Sequence, residues 1–514
     1  MQNISEVGVA FRKCPFSKAE VMNSLCIKEE KMKRFWLVLL SLGLIMAFSA
    51  SAFAVDVKVS GNFEVGGLYL SKTSVNADNT LAGNPDINTA FFYQKLRVGT
   101  DFIVAPCLKL VTQFDALDRI WVGARGGAFP AGATDNTGGT SGTRDESQNF
   151  VMNLVYIDYT SPVGLFRVGY QPDFVWGTAF GDRGNGKPAG QILYIVPVGP
   201  VTILADWAKE ADNSLSAIPN TSPVMSSDSD FDSFRLAGVF NFNTSQAKGE
   251  AGALLLYNRD ASNRSLPGYE ASPLLVYGVP YLMNAYNLVP YFKVQTGPLA
   301  IQGELNYGFG DAAKWEYGTQ SNVKIDTLSV FLDATANLGQ VYVGGSFAYV
   351  SGDDPGSHDK LEGGVGNTGG LDWNPCLIMF NTDLNYWAGD ILGEHSTVNG
   401  EMSNAWFFQG RAGVKPIPQL DVQLAVSYAQ ADKKPNPNPF IPVLSPGGHK
   451  NPFPNGSYGW EVDVTGTYKI TNNLSYMLGI GYLFTGDYFK GYDTLSNNQV
   501  QNDYLLINKL VLSF

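Results

Sequence analysis

Few residues of this 514-residue chain are equipped for covalent chemistry. The only histidines are His358, His395 and His449. All three fall in stretches rich in Gly, Asn, Asp and Pro that read as long loops. Ser357-His358-Asp359 holds the residue types of a hydrolytic triad, but a triad is assembled from distant segments and not from neighbours in one loop. Asp353, Asp354 and Asp359 could offer oxygens to Ca²⁺. Their spacing does not follow an EF-hand loop, and solvated loop acids are the simpler reading. No Cys-x-x-Cys-His occurs, so no c-type haem is expected. The expectation is no catalytic residue, no metal set and no cofactor, and the chain is not read as an enzyme.

Charges interleaved with apolar residues carry more information. Lys95, Arg97 and Asp101 oppose Leu96, Val98, Phe102 and Val104. Arg235 alternates with Phe234 and Leu236, and Glu461 and Asp463 with Trp460, Val462 and Val464. A strand sends successive side chains to opposite faces. Asp115, Arg167, Glu304, Asp333, Arg411 and Lys415 fall on the polar faces of their own segments. Those faces are too charged for a soluble core, and the apolar faces continue from segment to segment. The pattern predicts a barrel with lipid outside and water inside. A charge on the lipid face near the midplane costs about 2–4 kcal/mol, so all of these charges are expected to face the lumen. There they would set the local field and ion preference, or neutralise one another and hold strand register; the two roles are compatible.

The elements that would position them follow from the punctuation. Tight turns are expected at Ala105-Pro-Cys107, Ser161-Pro-Val-Gly164, Val198-Gly-Pro200, Thr296-Gly-Pro298, Asn337-Leu-Gly339, Pro416-Ile-Pro418 and Thr471-Asn-Asn473, with a slightly longer one at Asn243–Lys248. Long polar loops are expected near 73–89, 122–149, 178–189, 213–231, 261–280, 313–324, 354–404, 433–456 and 488–502. The predicted fold is all-β: a transmembrane antiparallel β-barrel of about 18 strands, with short periplasmic turns and long extracellular loops. Sixteen is the nearest alternative, because Gln191–Val198 and Val201–Lys209 are weak strands. An even count leaves no open edge. Tyr69, Trp121, Trp176, Trp207, Tyr257, Tyr307, Tyr349 and Tyr428 collect where strands meet long loops, as interfacial girdles do.

The longest loop is out of character. Within 354–404, Leu371-Asp-Trp-Asn-Pro-Cys-Leu-Ile-Met-Phe380 is greasy, and Tyr386-Trp387 and Ile391-Leu392 follow. An exposed outer loop has no reason to be so apolar. The favoured reading folds it into the barrel mouth through Trp373, Pro375, Leu377, Ile378 and Phe380. Packing on a neighbouring subunit and binding an apolar ligand are the alternatives.

Targeting agrees with export. Lys33-Arg34, the apolar run Phe35–Phe48 and Ala52-Phe53-Ala54 form a basic region, a hydrophobic region and a cleavage site. Residues 32–54 are expected to be a signal peptide, 1–31 an over-extended start, and 55–514 the barrel. Residues 1–54 hold seven of the 35 Lys/Arg and four of the 47 Asp/Glu. The remainder carries 28 basic and 43 acidic residues, a net charge near −15. That argues against nucleic acid and against a polybasic lipid-surface protein. Only Cys107 and Cys376 remain after the leader, on opposite sides of the expected apolar band, so no disulfide is expected. The exported chain has no run of 18 apolar residues; if it spans a membrane it does so as strands.

The last strand is apolar at Tyr504, Leu506, Leu510, Leu512 and Phe514 and polar at Lys509 and Ser513. Ending on Phe, it resembles the closing strand of bacterial outer-membrane barrels, where that residue is the assembly signal. With Leu96-Arg-Val-Gly-Thr-Asp-Phe-Ile-Val-Ala-Pro106, Thr112-Gln-Phe-Asp-Ala-Leu-Asp118 and Gly169-Tyr-Gln-Pro-Asp-Phe-Val-Trp-Gly-Thr-Ala-Phe-Gly-Asp182, the chain resembles a Gram-negative outer-membrane porin of delta-proteobacterial type. The resemblance implies passive diffusion of small hydrophilic solutes and ions through a water-filled channel in outer-membrane lipid, often from a homotrimer. Two other functions are compatible with such a barrel: a sheath for an electron-transfer cytochrome or other outer-membrane complex, and a structural or adhesin barrel without conductance. Acidic mouths favour weak cation selectivity, which clustered lumen arginines would oppose.

Overall fold

The computed structural model describes residues 55–75, 88–121, 150–173, 175–180, 188–214, 228–264, 280–316, 321–357, 359–364, 373–393, 396–434, 456–490 and 499–514. Residues 1–54 with the expected leader, and His358, His395 and His449, lie outside the described residues.

Eighteen long antiparallel strands close on themselves. In chain order they are β1 (Asp56–Leu70), β2 (Thr89–Ala105), β3 (Leu108–Ile120), β4 (Phe150–Ser161), β5 (Gly164–Gln171), β6 (Ala189–Val198), β7 (Val201–Ala211), β8 (Phe231–Asn243) and β9 (Lys248–Asp260). Then come β10 (Tyr281–Thr296), β11 (Leu299–Trp315), β12 (Val323–Leu338), β13 (Val341–Val350), β14 (Ala405–Ile417), β15 (Leu420–Ala431), β16 (Ser457–Lys469), β17 (Leu474–Thr485) and β18 (Asp503–Ser513). Each pairs with its sequence neighbours, and β1 pairs β18 from Asn62↔Ser513 to Leu70↔Leu505, which closes the sheet. No helix among the described residues is long and apolar enough to cross a membrane. The membrane is crossed by strands, whose backbone groups are all paired around the ring.

The period-2 pattern decides which way each side chain points. Val57, Val59, Phe92, Phe234, Leu236, Phe408, Trp460, Val464, Leu478 and Leu506 are exposed on the outer face. Neighbours one residue away, such as Arg235, Glu461 and Asp463, are buried inside. This apolar outer band makes the chain a multi-pass outer-membrane barrel. Aromatic pairs run along it near the long connections: Phe92–Trp121, Tyr349–Trp406 and Tyr428–Trp460. Pro106-Cys107, Pro162-Val163, Gly199-Pro200 and Gly297-Pro298 make tight turns where turn-forming residues interrupt the alternation. The strands at Gln191–Val198 and Val201–Lys209 are both present, within β6 and β7, so the count is eighteen and not sixteen.

One bulge breaks the alternation to useful effect. In β16, Tyr458 is skipped by the β15 ladder, and Gly459 takes φ 129, a conformation disfavoured for residues with a Cβ. Tyr458 therefore turns inward while Trp460, two residues on, faces out.

Candidate functional site

The lumen is defined by charges on one wall and by loops on the other. Across β18, β1, β2, β3, β4 and β5, acids and bases form a continuous cross-strand array. Lys509 lies 3.4 Å from Glu64. Lys95 reaches Asp118 at 3.1 Å and Asp115 at 3.4 Å. Arg97 grips Asp115, its direct register partner, through Nε and Nη2 at 2.7 and 2.8 Å. Lys109 sits 3.1 Å from Asp101 and 3.6 Å from Asp158. Arg167 grips Asp158 in turn at 2.7 and 3.0 Å. The strand register dictates these pairs, since Asp158 stands directly opposite both Lys109 and Arg167. Their basic side chains stay partly solvated while Asp115, Asp118 and Asp158 are buried, so desolvation of the acids offsets much of each pair's attraction. On the far side, Arg411 pairs Asp333 at 2.7 Å and Lys415 lies 3.5 Å from Asp421.

Arg235 is different. It is 2 % exposed and meets Asp173 at 2.6 Å, Asp206 at 2.7 Å and Glu210 at 3.0 Å. This cluster is buried behind the first inward loop, with Glu210 at its partly exposed edge.

Two loops fold inward. The first, after β5, crosses to β8, β10 and β11. Asp173 reaches Arg235, and the Trp176 indole Nε1–H donates to the Val289 carbonyl at 2.8 Å while its ring meets Tyr291 edge-on. Glu304 on β11 accepts from Thr178 N at 2.5 Å, Thr178 Oγ1 at 2.9 Å and Ala179 N at 2.9 Å. Gly177 has φ 76, and a Cβ there would sit 2.5 Å from a Glu304 oxygen, so both conformation and space call for glycine.

The second loop is the greasy one. Leu377 N donates to Asp463 at 3.2 Å, and Ile378 N and Met379 N donate to the two Glu461 oxygens at 2.7 Å each. Gln409 Nε2 holds the Pro375 carbonyl at 2.5 Å. Trp373 packs against Phe331 and Phe407, and Ile378 and Phe380 are buried in the same cluster. A short helix, α1 (Thr382–Ala388), follows, with Asn381 as its N-cap accepting from Leu384 N. It crosses to the charged wall: Asp383 bonds Lys509, Tyr386 bonds Asp118, and Trp387 stacks on Tyr93. Contacts with β2, β3, β12, β14, β16 and β18 put this segment inside the barrel. The two loops meet where Phe180 lies 5.6 Å from Trp373, both beside Phe331. A cavity of about 230 Å³ remains between the long loop and the wall, bounded by Tyr93, Asn374, Asp383, Trp387, Asp463 and Lys509.

One expectation needs correction. Trp176 is no girdle residue: it is 2 % exposed and fills the first inward loop, because its indole finds a carbonyl acceptor inside the barrel. The long loop over 354–404 folds inward as favoured, and its described residues 373–393 and 397–402 are largely buried in the lumen. Asp353 and Asp354 brace a turn. Asp353 accepts from Glu362 N and Asp354 from Gly356 N, and Ser357 Oγ bonds Glu362. Sequence reasoning missed the first inward loop and the acceptor role of Glu304, Glu461 and Asp463, because backbone donors leave no mark in a sequence.

The fold is thus an eighteen-stranded outer-membrane β-barrel with two inward loops. No family model matches the chain, and no curated protein matches it. Similar solved structures come from Pseudomonas aeruginosa. OpdK with vanillate is 13% identical, TM-score 0.43, covering 89% of this chain and 99% of that one. OccK2 (OpdF) in complex with glucuronate is 12% identical, TM-score 0.44, covering 89% and 97%. OccK9 (OpdG) is 12% identical, TM-score 0.44, covering 89% and 99%.

Proposed function

We propose that the chain is an outer-membrane channel for passive diffusion of small hydrophilic solutes and ions, narrowed by its own loops. The carrying observation is asymmetry across the lumen. Trp176, Phe180 and residues 373–381 pack against β10–β12, β14 and β16 and close that side with side chains, while α1 reaches the charged wall only at its Lys509, Tyr93 and Asp118 end. On β2 and β5 the basic groups stay partly solvated, with Arg97 22 % and Arg167 24 % exposed, above the buried Asp115 and Asp158. A hydrated path beside paired acids and bases is what a polar solute needs, because it meets donors and acceptors of both signs. In this reading Lys95, Arg97, Asp101, Asp115 and Arg167 line the path. Glu304, Glu461 and Asp463 hold the constriction. Asp333 and Arg411 hold register on the far wall, and Arg235 braces the first loop.

A sheath for another protein would need an open lumen, and two loops that meet at Phe180 and Trp373 count against it. A purely structural barrel would conduct nothing. One planar-bilayer recording separates the readings. Discrete small conductance steps are the expected result; a silent membrane with folded protein inserted contradicts the channel.

A further inference from the structure

We propose that Cys376, Glu461 and Asp463 form a binding site for a thiophilic divalent cation of the zinc class, which fastens the long loop to the barrel wall. This goes beyond the channel reading and does not depend on conductance.

The three side chains come together beneath the loop. One ligand atom from each, the Cys376 sulfur and a carboxylate oxygen of each acid, lies within 4.8 Å of the other two. All are buried: Cys376 is 3 %, Glu461 0 % and Asp463 5 % exposed. A second observation points to a ligand. Asp463 Oδ2 accepts from Leu377 N, but Asp463 Oδ1 is buried and faces no donor other than a proton it could share with Glu461. An orphaned, buried carboxylate oxygen is costly unless something fills it.

Charge balance makes the same point. Glu461 and Asp463 are two residues apart on one strand face, and among the described residues no Lys, Arg or His pairs with either. Arg235 shows how this barrel balances several buried acids in one place, with a guanidinium among three carboxylates, whereas the lone buried acids Glu304 and Asp503 are held by hydrogen bonds. Glu304 shows that one carboxylate suffices to take the first loop's consecutive backbone donors. Glu461 alone would do the same for Ile378 and Met379. Asp463 and the thiol exceed what anchoring needs, and a divalent cation accounts for both.

The donor set selects the metal. One sulfur with two carboxylates suits zinc-class ions, whereas Mg²⁺ and Ca²⁺ take oxygen alone. Metal–ligand distances of roughly 2.0–2.3 Å put tetrahedral ligands about 3.4 Å apart, so the three atoms would draw together by about 1 Å. The Glu461 oxygens each keep a second lone pair beside the backbone bonds. Binding forms a bond from metal to Cys376 Sγ, and the thiol proton leaves to solvent. Water in the adjoining 230 Å³ cavity, which Cys376 and Asp463 both line, supplies the fourth position. An outer shell is present: the Ser427 hydroxyl bonds the Cys376 sulfur, and Gln409 Nε2 donates to Ser427 Oγ at 3.1 Å.

The test refolds the exported chain from urea into detergent with CdCl₂, so that burial does not block access. Free metal is removed by gel filtration, and folding is checked by heat-modifiable migration. The probe is the cadmium–thiolate charge-transfer band, together with the metal-to-protein ratio. In a Cys107→Ser chain the band has only Cys376 to arise from, so its assignment does not depend on further variants folding. One cadmium per chain with a thiolate band is expected. Asp463→Asn should lose both, and Ser427→Ala should weaken binding about tenfold. A folded Cys107→Ser chain without band or bound cadmium overturns the site and leaves Glu461 and Asp463 as a proton-sharing pair. Stoichiometric cadmium retained by Cys376→Ser also overturns it.

Discussion

The two inward loops solve one problem with different means. Each must bring backbone N–H groups into a lumen where strands have already used the wall's own backbone acceptors. Each finds a wall carboxylate that takes consecutive donors: Glu304 for Thr178 and Ala179, Glu461 for Ile378 and Met379. The short loop then relies on one large ring, Trp176, wedged between Val289 and Tyr291. The long loop carries no single wedge. It spreads its hold over a second acid, a helix and polar contacts with the opposite wall. A short insert is fixed by packing at one point; a long one must be fixed electrostatically at several, because ordering more residues costs more entropy.

That contrast can be broken by substitution. Trp176→Ala should have the largest effect, about 3–5 kcal/mol off the docking of the short loop, from lost packing and an unfilled cavity. Limited proteolysis after Gly169 would report it. An unchanged digestion pattern would mean that Glu304 alone holds the loop. Glu461→Ala should cost the long loop about 3 kcal/mol by orphaning the Ile378 and Met379 donors. New protease cleavage within 373–402 is the expected sign. Glu304→Ala should cost less, about 2 kcal/mol, because Trp176 stays seated; an effect larger than that of Trp176→Ala would reverse the assignment of wedge and clamp.

Smaller effects sharpen the division between plugged and charged walls. Arg97→Ala with Arg167→Ala should change stability only modestly, because Lys95 and Lys109 still pair the buried Asp115 and Asp158. It should shift the reversal potential toward cations by exposing Asp115 and Asp158. The shift should fade in high salt, as the Debye length falls from about 10 Å at 0.1 M to 3 Å at 1 M. No shift would place the ion path elsewhere. Thiol labelling of the folded barrel should modify Cys107, in a partly exposed turn, and spare Cys376. Burial shields the Cys376 sulfur and pushes its thiol up, so without metal it reacts more slowly than Cys107. Equal labelling would mean that the long loop leaves the lumen.

Much of the frame was legible in the sequence. Period-2 alternation and Pro/Gly punctuation locate the strands and the eight tight turns, because lipid outside and water inside impose opposite chemistry on neighbouring residues. The greasy run Leu371–Phe380 stood out for the same reason: it is apolar where a loop should be polar. The short loop did not stand out. Trp176 follows a strand end by a few residues, where a girdle tryptophan would also lie, and type alone does not separate the two. Glu461 and Asp463 read as inward charges, yet nothing in their neighbourhood names Cys376, more than eighty residues earlier, as their companion. Arg235 likewise read as a lumen charge, and only the fold of Asp173 onto it shows that it is buried.

The central claim is that loops inside the barrel set the size of a conducting path along the charged wall. Single-channel conductance of the full chain, set beside a chain whose residues 373–402 are replaced by a short Gly/Ser linker, tests it most directly. A small, discrete conductance that rises several-fold on removal of the segment is expected. Conductance that is already large and unchanged by the deletion, or absent from both proteins once folded and inserted, would contradict it.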